Sequence, residues 1–145
     1  MNWLTSNKVL TALDYASGTA DRTGAIMDML GYEGIVAIVK CASVHNSATY
    51  SIKMQEDSDS AGGTMADLEG TGITIAGTDD DQLFMIEVYR PRERYVRLYV
   101  DKDASNACAE SAIYVLYGPK ELPVSNNVDD AVTSEIHASP AEGAA

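Results

Sequence analysis

The stretch FMIEVYRPRERYVRLYV, from Phe84 to Val100, decides the fold class of this chain. Apolar and polar side chains alternate on both sides of a central segment, Arg90–Arg94. A period of two over consecutive runs is typical of half-buried β-strands. Pro91 fixes φ and lacks an N–H donor, so the central segment suits a turn better than a ladder position. The pattern therefore predicts two strands joined by a short connection.

Folding these strands back on each other predicts a hairpin in which Tyr89 lies opposite Tyr95. In that register the apolar residues share one face, and Glu87 lies opposite Arg97 on the other face as an oppositely charged pair. A slip by one residue would place polar groups in the core, and a slip by two would separate the charge pair. We therefore predict this register.

The second face of the predicted hairpin carries Tyr89, Tyr95, Arg97 and Tyr99. Tyrosine favours strands in general, so a solvated sheet surface explains the face. Tyrosine and arginine are also enriched in protein interfaces, so a contact surface explains it as well. We take these four residues as candidate partner-binding residues and keep both interpretations open.

The same alternation predicts further strands. Gly34–Val44 is apolar on both faces as far as Val39, which predicts a central, well-covered strand. Ser47–Gln55 alternates cleanly, Thr71–Ala76 predicts a short strand, and Ala107–Tyr117 predicts the last strand. Lys8–Ala16 and Gly24–Met29 are weaker candidates, of which Lys8–Ala16 also fits a short helix. Seven or eight short strands separated by turn-rich linkers predict an all-β, antiparallel, jelly-roll-like β-sandwich.

The strand pattern fails after Tyr117. Residues 118–145 contain three of the four prolines, and their one lysine is outnumbered by five acids: Glu121, Asp129, Asp130, Glu135 and Glu142. Such a segment cannot bury enough apolar surface to fold alone. We predict a β-sandwich domain over residues 1–117 and an extended acidic C-terminal arm over residues 118–145. The arm is either a disordered terminus or a segment that orders on a partner.

Length and composition fit one globular domain with a real core, since the chain has 145 residues of which 46% are hydrophobic. The formal net charge of −12 argues against nucleic acid as a partner. No apolar run is long enough to predict a membrane span, and the N-terminal residues lack the features of a secretion signal. Cys41 and Cys108 are expected to be buried free thiols, with a disulfide as the alternative.

Acidic residues dominate Glu56–Asp81, which contains eight acids and no base. Asp57–Gly62 imitates the start of a calcium loop, but Ala61 occupies the third ligand position and Leu68 the bidentate one, which excludes an EF-hand. A looser cation site that includes Asp79–Asp81 is the alternative to two solvated acidic loops. We predict no metal site and no cofactor.

No catalytic constellation is visible in the sequence. His45 and His137 are the only histidines. Neither belongs to a nucleophile elbow or a zinc-ligand spacing, and the chain has no phosphate-binding loop or dinucleotide fingerprint. We therefore predict a non-enzymatic protein without catalytic residues.

Several runs of the chain resemble a known family: Asp28–Val39 (DMLGYEGIVAIV), Ser51–Leu83, Glu87–Val100 and Tyr117–Val124 (YGPKELPV). They resemble small structural proteins of tailed bacteriophages that are encoded among the head genes, several of which are capsid cement or decoration proteins. The resemblance implies a jelly-roll-like sandwich on the outside of the capsid shell that locks subunits together and has no catalytic residues.

From this resemblance we expect a virion protein, made in the host cytoplasm, that binds the major capsid protein on the outer capsid surface. A homo-oligomer, either a dimer or a trimer, is expected, and the face with Tyr89, Tyr95, Arg97 and Tyr99 is the expected docking surface. Two other functions remain open. One is a head–tail connector or tail structural protein, and the other is a carbohydrate-binding module whose exposed tyrosines stack on sugar rings.

Overall fold

A computed structural model describes residues 2–126, 131–139 and 141–143. Within these ranges the chain forms one short helix, α1 (Trp3–Ser6), and ten strands. The strands in chain order are β1 (Lys8–Gly18), β2 (Arg22–Thr23), β3 (Met27–Asp28), β4 (Gly34–Val44), β5 (Thr49–Asp57), β6 (Ala66–Asp67), β7 (Ile73–Ala76), β8 (Leu83–Tyr89), β9 (Tyr95–Asp101) and β10 (Cys108–Tyr117).

The strands form two antiparallel sheets. Sheet A has the order β1-β10-β4-β8, and sheet B has the order β2-β9-β5-β6, with β3 also paired to β9 and β7 to β5. Successive long strands change sheet: β4, β8 and β10 belong to sheet A, whereas β5 and β9 belong to sheet B. The predicted all-β sandwich is confirmed.

The period-two alternation places one apolar face of each sheet in a shared core. Five of the fully buried side chains show both layers: Ile35 and Val39 from sheet A, and Ile52, Val96 and Leu98 from sheet B. Burying a side chain of this size contributes about 1.5–3 kcal/mol. The strand β4 has the predicted bounds and lies between two neighbours, as expected for a central strand. The short helix considered for Lys8–Ala16 is wrong, because this segment belongs to β1.

The predicted hairpin between β8 and β9 is wrong. Glu87 lies opposite Val36 of β4, and Arg97 lies opposite Gln55 of β5, so the two strands belong to different sheets. The predicted faces hold, since Ile86 is buried and Met85 is exposed. Two strands that each have one apolar face can lie side by side in one sheet or face each other across a core. The alternation of apolar and polar residues is the same in both arrangements.

The connection between β8 and β9 carries the chain from sheet A to sheet B. Its first residue, Arg90, has a φ of 51° and continues the ladder of sheet A by donating its N–H to Glu33. The next residues turn to sheet B, where a Glu56 carboxylate oxygen accepts the N–H groups of Arg92 and Glu93 at 3.0 and 3.1 Å. Glu56 therefore fixes the point at which the chain changes sheet.

A buried tyrosine of sheet A is hydrogen-bonded to the backbone of sheet B. The Tyr114 hydroxyl accepts the N–H of Leu98 at 2.7 Å. Gly24 donates its N–H to the carbonyl of the same leucine, and a Cβ on Gly24 would overlap with the Tyr114 hydroxyl. Glycine at this position thus allows the two layers to approach each other at the level of β9.

The first residues of the predicted arm are held against the start of the chain. Asn126 is buried: its amide oxygen accepts the N–H of Val9 at 2.7 Å, and its amide nitrogen donates to the carbonyls of Leu4 and Asn7 at 2.7 and 3.0 Å. The division of the chain at residues 117 and 118 stays a prediction, and the predicted arm acids at positions 129 and 130 lie outside the described residues.

Replacing Tyr114 with phenylalanine tests the contact between the layers. Tyr114→Phe leaves the buried N–H of Leu98 without an acceptor, which should lower the free energy of unfolding by about 1–3 kcal/mol. Urea unfolding followed by circular dichroism measures the change. Tyr15→Phe is the matched control, because Tyr15 is 67% exposed, and it should leave the unfolding midpoint unchanged. Equal midpoints for both variants would contradict the role given to the Tyr114 hydroxyl.

Candidate functional site

The outer face of sheet B carries three of the four predicted partner-binding residues, and all three are half-buried: Tyr95, Arg97 and Tyr99. Arg97 donates from Nε to Gln55 at 2.8 Å, and the Tyr99 hydroxyl donates to Asp21 at 2.8 Å. Hydrogen bonding to Asp21 raises the pKa of Tyr99. This face is a polar network that satisfies its own side chains.

The fourth predicted residue, Tyr89, lies on the outer face of sheet A and is 56% exposed. Its ring stacks beneath the guanidinium of Arg90 at 5.0 Å, an interaction that orients both side chains. The change of sheet between β8 and β9 therefore separates Tyr89 from the other three residues. They do not form one continuous face.

The outer face of sheet A carries an apolar row across three of its four strands. Ile38 of β4 pairs with Ile113 of β10 on one side and with Met85 of β8 on the other, so the three side chains form a row. Met85 is 65% exposed and Ile113 41%. Leu83 extends this surface along β8, at 63% exposure. We call this surface, formed by Leu83, Met85, Tyr89, Ile113 and the half-buried Val36 and Ile38, the apolar face.

The one carboxylate of β8, Glu87, is turned toward the middle of sheet A. The Tyr117 hydroxyl of β10 donates a short hydrogen bond to Glu87 across the intervening strand β4. Gly34 of β4 makes this possible, since a Cβ there would overlap with the Tyr117 ring. Burial and the hydrogen bond to Glu87 raise the pKa of Tyr117 to about 12. The Glu87 carboxylate is thereby held at the side of β8 that faces β4.

A surface cleft of about 370 Å³ lies beside the connection between the sheets. It is lined by Leu30, Arg90, Arg92 and Lys120, among others. Arg94, also at its border, is fixed by two hydrogen bonds to Asp28 at 2.6 and 2.8 Å. Glu33 and Glu93 also line the cleft, and Arg90 lies 3.8 Å from Glu33, so cations and carboxylates are mixed there.

The calcium-like loop after β5 is held together by its own carboxylates. Asp57 accepts N–H groups from Asp59 at 3.0 Å and from Thr64 at 2.9 Å, and these bonds hold the pKa of Asp57 below its usual range. Asp59 accepts the N–H of Ala61 in the same way. Backbone amides thus occupy the oxygens that would bind a cation.

The acids before β8 also face different partners. Asp79 accepts the N–H of Ala76, Asp80 accepts the N–H of Val44, and Asp81 lies 3.7 Å from the Lys40 ammonium. Within the described ranges, no three His, Cys, Asp or Glu side chains converge in a way that could hold a metal ion.

A buried group of charges that the sequence analysis missed lies at one end of the sandwich. Glu110 is fully buried between Arg22 and Lys102, with each cation 2.7 Å from a different carboxylate oxygen. Lys102 also donates to the carbonyl of Cys108 at 3.0 Å. Removing one partner of such a group costs about 3–5 kcal/mol, because it leaves a charge uncompensated. The arrangement joins β10 of sheet A to β2 of sheet B and to the residue that follows β9.

Both cysteines are free and buried, as predicted. Burial raises the pKa of Cys108 to about 11 and also raises that of Cys41, so both are neutral thiols near pH 7. His45 accepts the N–H of Ser47 at 3.1 Å, and His137 pairs with Glu135 at 2.9 Å. None of the helices in the described ranges has the length and apolar character needed to cross a bilayer.

The fold is similar to that of a solved protein, the PBSX exported protein XepA, with a TM-score of 0.53 and 14% sequence identity. The match covers 90% of this chain and 43% of that protein, so the chain spans less than half of its structural neighbour. At this identity the likeness concerns the fold alone. No family model and no curated protein match the sequence.

Replacing Glu87 with glutamine tests the contact with Tyr117. Glu87→Gln should lower the pKa of Tyr117 from about 12 toward its ordinary value of 10, and burial should keep it above 10. The raised pKa makes a stabilising contribution that is present below pH 10 and is lost as the pH rises through 12. Titration by NMR of labelled tyrosine rings measures the shift. Glu69→Gln should leave the Tyr117 titration unchanged.

The Asp57 loop should depend on its carboxylate and be independent of calcium. Asp57→Ala should lower the melting temperature equally in excess calcium and in excess chelator, whereas Asp101→Ala, an exposed control, should not. Because the pKa of Asp57 is depressed in the folded state, its contribution is present above the ordinary pKa of 3.8 and is lost at lower pH. A calcium-dependent rise in the wild-type melting temperature, reversed by chelation, would contradict this assignment.

Proposed function

We propose that this protein is a structural protein of a tailed-phage virion, a capsid cement protein that binds the outer surface of the assembled major capsid shell. The apolar face of sheet A carries the proposal. Leu83, Met85 and Tyr89 are each more than half exposed there, next to Ile113. A contiguous apolar surface on a soluble protein marks a site that a partner covers.

The demands of a cement role match the surfaces of the molecule. A cement protein binds a repeating surface and performs no chemistry, so a flat apolar face serves it better than a deep cavity. Each contact can be modest in strength, because many copies on one shell act together. The net charge of −12 opposes non-specific aggregation of the free protein before it docks.

One structural comparison and one sequence resemblance support a phage setting. The structural neighbour XepA is a protein of the phage PBSX, and its fold is shared over 90% of this chain. The runs Asp28–Val39 and Glu87–Val100 resemble auxiliary head proteins of tailed phages. A head–tail connector or a tail protein would share this setting, but it would form a single ring or a tube.

The proposal is tested on purified particles. Cryo-electron microscopy should place the protein on the outer shell in numbers that follow the capsid subunits. Ile113→Lys should lower capsid occupancy by at least about tenfold, because burying an unpaired ammonium costs more than the about 1.4 kcal/mol that a tenfold change in affinity requires. Thr74→Lys, on the exposed outer face of sheet B, is the matched control and should decorate normally.

Two results would contradict the proposal. Location at the portal vertex or in the tail would replace it with the connector or tail function. If Ile113→Lys decorates normally while Tyr95→Ser does not, the docking surface is the outer face of sheet B.

A further inference from the structure

Strand β8 is an edge strand of sheet A, and within the described residues no bulge, short length or covering group prevents another strand from pairing with it. It pairs with β4 over seven consecutive residue pairs without a register shift. No backbone group of β8 bonds to any other strand or loop in the described part of the chain. Long, flat, apolar edges are rare in native proteins because they pair with other chains.

The other edges are protected. Strand β1, at the opposite edge of sheet A, has two register shifts, and Asn126 and Ala25 bond to its backbone at Val9 and Ala12. In sheet B the edge strands β2, β3 and β6 contain two residues each, and β7 contains four. Bulges, short strands and covering groups are the usual protections of an edge. Among these edges, β8 alone lacks all three.

The free hydrogen-bonding groups of β8 belong to alternate residues. Gln82 accepts the N–H of Cys41, and Arg90 donates its N–H to Glu33, so the even-numbered residues face β4. The N–H and C=O groups of Leu83, Met85, Glu87 and Tyr89 therefore point away from the sheet. A groove of about 300 Å³ between Tyr89 and the loop at Leu68 leaves this edge open.

We propose that β8 pairs antiparallel with β8 of a second copy, about a two-fold axis at Ile86. The sheets of the two copies then form one continuous sheet. The pairs are Leu83 with Tyr89 and Met85 with Glu87, each formed twice, and each exchanges two backbone hydrogen bonds. This interface goes beyond capsid docking, because it forms in solution between copies of this chain and uses the strand edge rather than the apolar face.

The side chains of β8 suit this register. On the core-facing side Phe84 meets Val88, and Ile86 meets itself, so apolar groups extend the existing core. On the outer side Leu83 meets the ring of Tyr89. The two-fold axis at Ile86 gives the largest number of paired residues.

The charges that flank β8 favour a second copy as the occupant. The strand follows three aspartates, Asp79–Asp81, and precedes Arg90 and Arg92. Antiparallel pairing brings the acidic end of each copy to the basic end of the other. The side chains of Asp80, Asp81, Arg90 and Arg92 are exposed. Opposite charges at both ends offset the repulsion between two acidic molecules and select the antiparallel direction.

Glu87 does not block this pairing. A charged residue in an edge strand normally discourages association. Here the Tyr117 hydroxyl holds the Glu87 carboxylate on the side of β4, away from the free edge. The remaining positions of β8 are uncharged.

Sedimentation of the full chain without capsids tests the proposal. The wild type should be a dimer. Met85→Pro should raise the dimer Kd by about 100-fold, because proline removes the N–H donor from each of the two Met85–Glu87 pairs, at about tenfold each. The N–H of Met85 points away from β4, and an edge strand tolerates proline on that side, so the monomer should keep its melting temperature. Ile113→Lys, on the apolar face but away from the edge, should remain a dimer, which separates this interface from the capsid-binding face.

Disulfide trapping tests the register. Residues 83 and 89 of opposite copies form a hydrogen-bonded pair with a Cα separation of about 5.5 Å, which suits a disulfide. The double variant Leu83→Cys, Tyr89→Cys should form covalent dimers on oxidation, and neither single variant should. Cys41 and Cys108 are fully buried, so they should not react.

The proposal is overturned by any of three results. These are a monomeric or trimeric wild type, a Met85→Pro variant that dimerises as the wild type does, and a double cysteine variant that fails to cross-link. A monomeric wild type would assign the β8 edge to a strand of a different protein.

Discussion

Five residues between Tyr89 and Tyr95 carry the chain from one sheet to the other, and the arrangement of both sheets depends on this step. Glu56 fixes it, because its carboxylate accepts two backbone N–H groups of the connection. Since the chain leaves sheet A at Tyr89, β8 has a neighbour on one side only. Strand β9 enters the middle of sheet B, and its apolar side chains join those of β4 in the shared core. The free edge and the closed core are therefore two results of the same crossing.

The sequence contains enough information to place most long strands but not to assign them to sheets. Strand β4 has the predicted bounds, and β10 begins one residue later than predicted, because apolar alternation and turn residues are local signals. Partner choice is not local. The β8 and β9 patterns fit a hairpin and a crossing equally well, and the Glu87–Arg97 match was a coincidence of spacing. A contact between Glu56 and a backbone segment 36 residues away leaves no periodic signal.

The candidate surfaces were predictable in part. Gly34–Val39 is apolar on both faces, which was interpreted as cover on both sides, whereas Val36 and Ile38 are only half-buried on the outer side of the sheet. A strand that is apolar on both faces therefore also indicates an exposed apolar surface that a partner can cover. The buried Lys102 could not be found from sequence, because it lies in a segment, DKDASN, with the composition of a linker. Its partner Glu110 is the one acid in β10, a strand whose other residues are mostly apolar.

The position of Asn126 has a mechanical consequence. The chain leaves β10 at Tyr117, and nine residues later Asn126 is bonded to the segment that leads into β1. A load applied to the chain beyond Asn126 is therefore divided between two adjacent strands, through the covalent backbone to β10 and through three hydrogen bonds to the start of β1. These two strands are paired with each other along sheet A. The force is therefore shared between them and does not separate a single strand from the sheet.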